Sequence, residues 1–600
     1  MGKPLIKNTD RRMSLFAADE HPVMSLSVQA ADTRPRRTQG QFEVLLRHLL
    51  FRFLHNELVT AEDDETKRAM TMAYAVGLPG MVVALILVIA YHPFPPQQPR
   101  TFWGQAQDHY LYVMYAFVAM GAATVYEWDL LFPDFLDVFV LSVMPVEERR
   151  LFLARVLALA IFLGLVLLGT NILGIICFPI AVGPPHMGRL FVAHAVGVLA
   201  SGSFAAVSLL ALQGVLLNVL GERVFRRITP LLQGTAILAL LTLLFLFPLI
   251  ADSLQALLTS GDRAVLWFPP FWFLGIYEQV LRGGAALPVF RELAHYGWWA
   301  LLSMAACVAV TYPVAYRRKV RQTIEGSAAV KHAGYVAGKM QWLLHRTLLR
   351  KPGERATFHF ISQTILRSQR QRVMLAMYAG LGAALTFPAV LGLKISGGHV
   401  RVVMLASGVT AAIPVIAFWT VAGLHAVLRS SVDRRGTWLF YTIIGRPRAE
   451  HFAGTRIWLT LWAGGISVAI VLILKMLVPS AGLVMMGQMV VALGVAVLVS
   501  DVFLFFVRRI PFTHQRKSAV HDLPMAVLRY LILFPLFARF VAERMQRVRW
   551  SGWVLLEVVL GFLAVHGVLV VANSWFLGQS TLETPQNEED EFPQTLGLRG

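Results

Sequence analysis

The stretch Tyr126–Leu159, YEWDLLFPDFLDVFVLSVMPVEERRLFLARVLAL, stands between two long apolar runs and is too polar to cross a bilayer. Phe132, Phe135, Leu136, Phe139 and Val140 recur in it at roughly helical spacing, which reads as a short amphipathic helix lying on a membrane surface. Glu127 and Asp129 lead into it, and Pro145, Glu147, Glu148, Arg149, Arg150 and Arg155 lead out. The plainer reading of the same residues is a connecting loop with some amphipathic character. On either reading the stretch separates two membrane spans and sets the frame for the rest of the chain.

Composition agrees with that frame. Of 600 residues 56% are hydrophobic and 15% charged, with a mean hydropathy of +0.60. Apolar runs long enough to span a bilayer recur, so the expected fold class is all-α, a polytopic membrane protein. The 54 Lys and Arg against 35 Asp and Glu give a net charge of +19. In a membrane protein that excess belongs to cytoplasmic loops facing anionic lipid, and no nucleic-acid partner is expected. Cys177 and Cys307 lie inside apolar runs, where they pack as small hydrophobes and form neither a disulfide framework nor a metal site.

Residues 1–40, with Arg11, Arg12, Arg34, Arg36 and Arg37, read as a disordered cytoplasmic tail without a signal-peptide core. Phe42, Leu45, Leu46, Leu49 and Phe53 then fall on one helical face, away from Glu43, Arg47 and Arg52, which predicts an interfacial helix. Six spans follow at about 70–91, 109–126, 151–180, 189–220, 231–250 and 296–316, completing a first half over 41–316. The fourth carries a run of small residues, Gly197–Ala206, suited to close helix packing. Between the fifth and sixth, residues 251–295 include WFPPFWFLGIYEQVL, whose aromatics and Pro269–Pro270 predict short helices at the outer interface.

A basic linker at 317–357, with Arg317, Arg318, Lys319, Arg321 and Lys331, orients the chain by placing that side and the N-terminus in the cytoplasm. The second half, 358–575, then repeats the first. Arg68, Met70, Tyr74 and Ala75 precede or open the first span; Arg372, Met374, Tyr378 and Ala379 do so for the seventh, each 304 positions later. FHFISQTILRSQRQR, Phe358–Arg372, repeats the interfacial helix with Phe358, Ile361 and Ile365 on one face, and with Arg367 and Arg370 among its basic residues. A second elbow, SSVDRRGTWLFYTIIGRPRAEHFAGTR, follows the eighth span, and Arg456 matches Arg155. The second set of spans is expected at 373–392, 402–428, 456–478, 482–507, 524–541 and 551–573, about twelve in all. Because six is even, the two halves should be related by a pseudo-twofold axis along the membrane normal. The alternative is eleven spans: Arg544, Arg547 and Arg549 sit in a connection that twelve spans place outside, and an inner-surface 524–541 would send the acidic tail 576–600 to the other side.

Chemistry is sparse. GYVAGKM at Gly334–Met340 lacks the spacing and the Ser/Thr of a phosphate loop, so the chain is expected to be no enzyme and to hold no cofactor of its own. Asn171, His194, His425, Lys475, Glu557 and His566 interrupt apolar runs and are weighed against hydrogen-bonded structure or, for Lys475, snorkelling.

The first elbow, the aromatic WFPPFWFLGIYEQVL after the fifth span, FHFISQTILRSQRQR before the seventh and IPFT at Ile510–Thr513 together resemble the type-2 permeases of bacterial ATP-binding-cassette exporters, in the large form with two fused halves. The resemblance covers most of residues 42–525 and implies cytoplasmic ATPase subunits as partners, with ATP and Mg²⁺ on those subunits. It implies a coupling surface on Pro133, Asp134, Asp137, Pro145, Glu147 and Glu148 in the first half and on Asp433, Arg434, Arg446 and Arg448 in the second, flanked by the interfacial helices. The second elbow departs from the first in being basic. The function so implied is export by alternating access from the cell (inner) membrane; the rival from another class is a non-transporting membrane scaffold or regulator with a transporter-like body.

Overall fold

The computed structural model describes residues 40–54, 80–92, 100–128, 147–183, 187–325, 342, 344–396, 399–430, 449–479, 482–505, 511–512, 530 and 534–579. These are almost wholly helical. The first half comprises α1 (Gln41–Leu54), α2 (Gly80–Tyr91), α3 (Phe102–Tyr126), α4 (Glu148–Val182), α5 (Met187–Phe245), α6 (Phe247–Asp252), α7 (Leu254–Thr259), α8 (Pro269–Arg282) and α9 (Pro288–Glu325). The second comprises α10 (Pro352–Arg367), α11 (Gln369–Val390), a hairpin of β1 (Leu391–Ser396) and β2 (His399–Met404), α12 (Ala406–Arg429), α13 (Ala449–Leu477), α14 (Gly482–Leu504), α15 (Phe534–Arg547) and α16 (Gly552–Gln579).

Nine helical segments among the described residues are long and apolar enough to cross a membrane, so the protein is a multi-pass membrane protein. They answer nine of the twelve expected spans. Of the other three, the first is described only over Gly80–Tyr91 and the eleventh only over the 14-residue α15. The second is α3, whose Tyr110, Tyr112, Tyr115 and Tyr126 lower its hydropathy although its 25 residues reach about 37 Å, more than the bilayer core needs. The matched residues 68–75 lie outside the described residues.

Helix α5 is continuous through Pro230 yet supplies two spans, Met187–Leu220 and Ile228–Phe245. Consecutive residues of α3 show how. A Cβ on Gly202 would stand 3.4 Å from Met120 Cβ, and a Cβ on Gly121 would stand 2.9 Å from Leu240 Cδ2. In a straight helix residues 202 and 240 lie about 57 Å apart, so the chain doubles back between its two arms. The first arm runs beside α3 toward Trp128, whose carbonyl accepts from Gln213; beyond the second arm the chain returns to the start of α3, where Gln107 donates to the Ala251 carbonyl.

That reversal defines two ends. At one, Trp128, Ala154, Ala158, Leu217, Phe225, Tyr312 and Ala315 form a cluster under Leu45 and Leu49 of α1, and Arg149, Arg317 and Arg318 are exposed around it. We refer to it as the basic end. The second arm of α5 then forms the seam with α11: Gly234 meets Ala376 and Gly380 meets Leu238 and Leu241, so both helices run away from the basic end together. Surface helices α1 and α10 therefore occupy the same end of the molecule. Packing pairs recur in order as well, α1 on α4 as α10 on α13, α3 on α5 as α12 on α14, and α5 on α9 as α14 on α16.

Contacts on either side of α15 place the chain there. Phe512 N–H donates to the Leu428 carbonyl at the basic end, whereas Trp550 covers Gly487 near the far end. Helix α16 then returns beside α14, with Phe562 at Gly494 and His566 at Asp501. The end of α16 thus shares a side with α1, and Arg544, Arg547 and Arg549 lie toward the far end.

Residues 251–295 form short helices before α9, as their prolines require, and α8 is covered by its neighbours. Phe273, Leu274, Ile276 and Tyr277 are buried between α3, the first arm of α5 and α9. The aromatic density fills a core, and Trp267 alone of its tryptophans stays broadly exposed. At the α8–α9 crossing a Cβ on Gly275 would sit 2.7 Å from Ala294 N, Leu293 Cβ and Phe290 O. Two of these are backbone atoms that no rotamer change can move, so Gly275→Ala should cost about 3 kcal/mol. Thermal unfolding in detergent will read this as a lowered Tm; an unchanged Tm would show that the helices do not pack this closely.

The hairpin was not expected: residues 393–401 were left as a plain connection between spans drawn at 373–392 and 402–428. Ser396 pairs with His399 across the two glycines 397 and 398, the loop length that favours tight hairpin turns. Leu393, Ile395 and Val400 pack on the first half, and the Asp262 carboxylate accepts from Val400 N–H and Ala264 N–H. Those two donors hold the Asp262 carboxyl below the usual range.

Candidate functional site

The basic end carries the surface on which coupling residues were expected. In the second half the site is built from α10 outward. Pro352 opens the helix and the Glu354 carboxylate accepts from the backbone N–H groups of Arg350 and Lys351, fixing its start. Phe358, Ile361 and Ile365 are buried, on the face the spacing predicted. They meet α13 at a close crossing. A Cβ on Gly454 would lie 2.7 Å from the Glu354 carbonyl oxygen, and Trp458 donates to Ser362 Oγ at 2.9 Å. In the first half Leu45 and Leu49 of α1 are buried against Ala154 and Ala158 of α4, while Glu43 and Arg47 are exposed. Each half thus holds one amphipathic helix across the first turns of one spanning helix.

Of the expected coupling residues, Glu147 and Glu148 stand at the start of α4. Glu147 is the N-cap in extended conformation and pairs with Arg150 at 3.1 Å, both side chains well exposed. Arg47 and Arg52 are on α1, Arg367 is exposed in the last turn of α10, and Arg370 is at the start of α11. Pro133, Asp134, Asp137 and Pro145 fall in 129–146, and Asp433, Arg434, Arg446 and Arg448 in 431–448, all outside the described residues. Arg155 and Arg456, matched in sequence, each lie seven residues into their helix. Arg155 is buried and bonds Tyr312 of α9, while Arg456 pairs with Asp501 of α14.

A second feature of the basic end is a pair of imidazoles, His345 Nε2 and His359 Nε2, 2.6 Å apart. One ring must donate and the other accept, so the contact holds a single proton. Burial, and then the neighbouring His345 ring, lower the pKa of His359. A folded pKa below the unfolded value means that the opened form binds protons more readily, so the contact is full above about pH 6.5 and weakens as pH falls from there. Amide exchange over 344–349 should accelerate between pH 7.5 and 5.5 beyond the intrinsic effect of pH; His345→Gln should reduce that excess, since it removes the smaller of the two causes and leaves the burial of His359.

The interrupted apolar runs resolve mostly into structure. Asn171 donates to the Leu167 carbonyl, His194 pairs with Tyr277 OH at 3.1 Å, His425 packs on the Phe503 ring, and Lys475 lies in the last turn of α13. Glu557 is exposed on α16. His566 proves to be one arm of a network in which Asp501, 1% exposed, accepts from Arg456 and from His566.

A larger network went unrecognised in the sequence. His109 Nδ1 meets Glu278 Oε1 at 2.6 Å, Arg282 Nε donates to Glu278 Oε2 at 2.6 Å, and Arg100 donates twice to Asp108. Tyr277 stacks on His109 at 4.2 Å. Asp108 sits one residue before the expected second span and Glu278 within a stretch read as interfacial, so window-averaged hydropathy hid both.

The small-residue face Gly197–Ala206 admits neighbours closely: a Cβ on Gly197 would meet Tyr277, and Ser201 Oγ donates to the Val113 carbonyl. Compared with protein-family models, with curated proteins and with solved structures, the chain has no match in any of the three.

Proposed function

We propose that this chain is the membrane-spanning permease subunit of an exporter in the cell (inner) membrane, driven by separate cytoplasmic ATPase subunits that carry ATP and Mg²⁺. The observation that supports it is the placement of α1 on α4 and α10 on α13 at one end of the molecule. A motor on one side of a membrane needs a handle on each half, both on that side. The exposed Arg149, Arg317 and Arg318 around that end support a cytoplasmic side there, with the N-terminus and contacts to anionic lipid headgroups on it. Nucleotide binding draws the two handles together, and the halves rock about the seam of α5 and α11 so that a central path alternates between sides. ATP drives this only in so far as it favours one arrangement over the other.

The test is co-purification of the full chain in mild detergent from its native membranes. A nucleotide-hydrolysing subunit should come with it, and joint reversal of Glu147 and Glu148 to lysine should weaken that association about tenfold, equivalent to about 1.4 kcal/mol. A chain that brings down no such subunit, and whose function survives the double reversal, would be the scaffold or regulator instead.

A further inference from the structure

Between α8 and α9, at the far end, lies a cavity of about 320 Å³ lined by Gln279, Val280, Arg291, His295 and Trp298. Its frame is the Gly275 crossing, which fixes the two helices so that 279–280 of one face 291, 295 and 298 of the other; the last three share one face of α9. The lining is rich in hydrogen-bond donors. Trp299 Nε1–H donates to His295 Nε2 at 3.0 Å, so the neutral His295 ring carries its proton on Nδ1 and presents a donor. Arg291 makes no ion pair among the described residues, Trp298 has an indole N–H, and Gln279 an amide. No carboxylate lines the cavity, and the nearby Glu278 has both oxygens taken by His109 and Arg282.

The height of the cavity is set by Tyr296, Trp298, Trp299 and Leu302, all exposed on α9. An aromatic band passing into an aliphatic surface marks the level of lipid headgroups. We propose that this cavity is a binding site for a phosphate-bearing anion, with Arg291 and His295 as its main ligands, positioned to take the headgroup of a lipid in the leaflet opposite the basic end. Arg291 offers the planar fork that phosphate oxygens accept in pairs. The assignment is independent of the exporter reading.

Native mass spectrometry of the full chain, released from neutral-detergent micelles with phosphatidylglycerol as probe, tests it. The wild type should retain the lipid, and Arg291→Ala should raise the apparent Kd about tenfold. Arg291→Lys, which keeps the charge and loses the fork, should fall between, and Arg263→Ala, on the preceding surface turn, should change nothing. Displacement of the lipid by millimolar inorganic phosphate would assign the same site to a soluble phosphate compound. Equal lipid retention by wild type, R291A, R291K and His295→Ala, with no effect of phosphate, would overturn the proposal.

Discussion

Asp501→Asn is expected to cost the second half about 3 kcal/mol and to loosen α16 from the bundle. The carboxylate is 1% exposed on α14, accepts from Arg456 Nε at 3.0 Å, and accepts from or shares a proton with His566 Nδ1 at 2.6 Å. Asparagine keeps the shape and removes the charge, which leaves the Arg456 guanidinium within the bundle without its counter-ion; removal of one partner of such a pair costs about 3–5 kcal/mol. We take the lower figure because Arg456 retains 21% exposure. Helix α16 is sensitive because its membrane-spanning stretch has no buried residue and packs mainly on α14. A lowered Tm in detergent with faster amide exchange confined to 552–575 is the expected reading. The double change Arg456→Met with Asp501→Leu should recover most of the loss, since an apolar pair of similar volume removes the unpaired charge altogether. If the double variant is no more stable than D501N, the two residues are not coupled and the account fails.

Much of the helical frame was legible because bilayer thickness fixes the length of an apolar run. Spans expected at 482–507 and 551–573 meet α14 at 482–504 and α16 at 552–579, and the face of α10 with Phe358, Ile361 and Ile365 was read from spacing alone. What escaped has a common physical cause. Hydropathy is an average over a window, and the features it missed depend on single residues finding partners far along the chain. Asp108 and Glu278 are buried only because Arg100, Arg282 and His109 reach them, over separations as large as 169 residues. The β1–β2 hairpin was hidden differently. Leu391, Leu393 and Ile395 alternate with Gly392 and Lys394, a period of two, but six residues of it are too few to stand out in a short connection between two long apolar runs. As for the coupling surface, sequence placed its helical supports, α1, α4, α10 and α13, and eight of its ten named residues lie outside the described residues.

Glu278→Ala is expected to be the more damaging change of the two, about 4 kcal/mol, and to act on a site whose residues it leaves intact. Glu278 is fully buried, His109 is 2% exposed and Arg282 25%. Truncation strands both donors and opens a void beside the His109–Tyr277 stack, so the cost of an unpaired buried charge adds to that of a cavity. Glu278→Gln separates the two. The amide fills the space and still accepts one hydrogen bond, so it should lose the charge contribution and spare the packing, falling between wild type and E278A in Tm. The pair His109–Glu278 is one of the contacts that tie α8 to α3, beside the His109–Tyr277 stack and the Arg282–Gln105 hydrogen bond, and α8 supplies Gln279 and Val280 to the anion cavity. Release of α8 should therefore lower phosphatidylglycerol retention in E278A even though Arg291, His295 and Trp298 on α9 are unchanged. Retention at the wild-type level in a variant that has lost the expected stability would show that the cavity is shaped by α9 alone, and that the network at Glu278 holds the core without positioning the site.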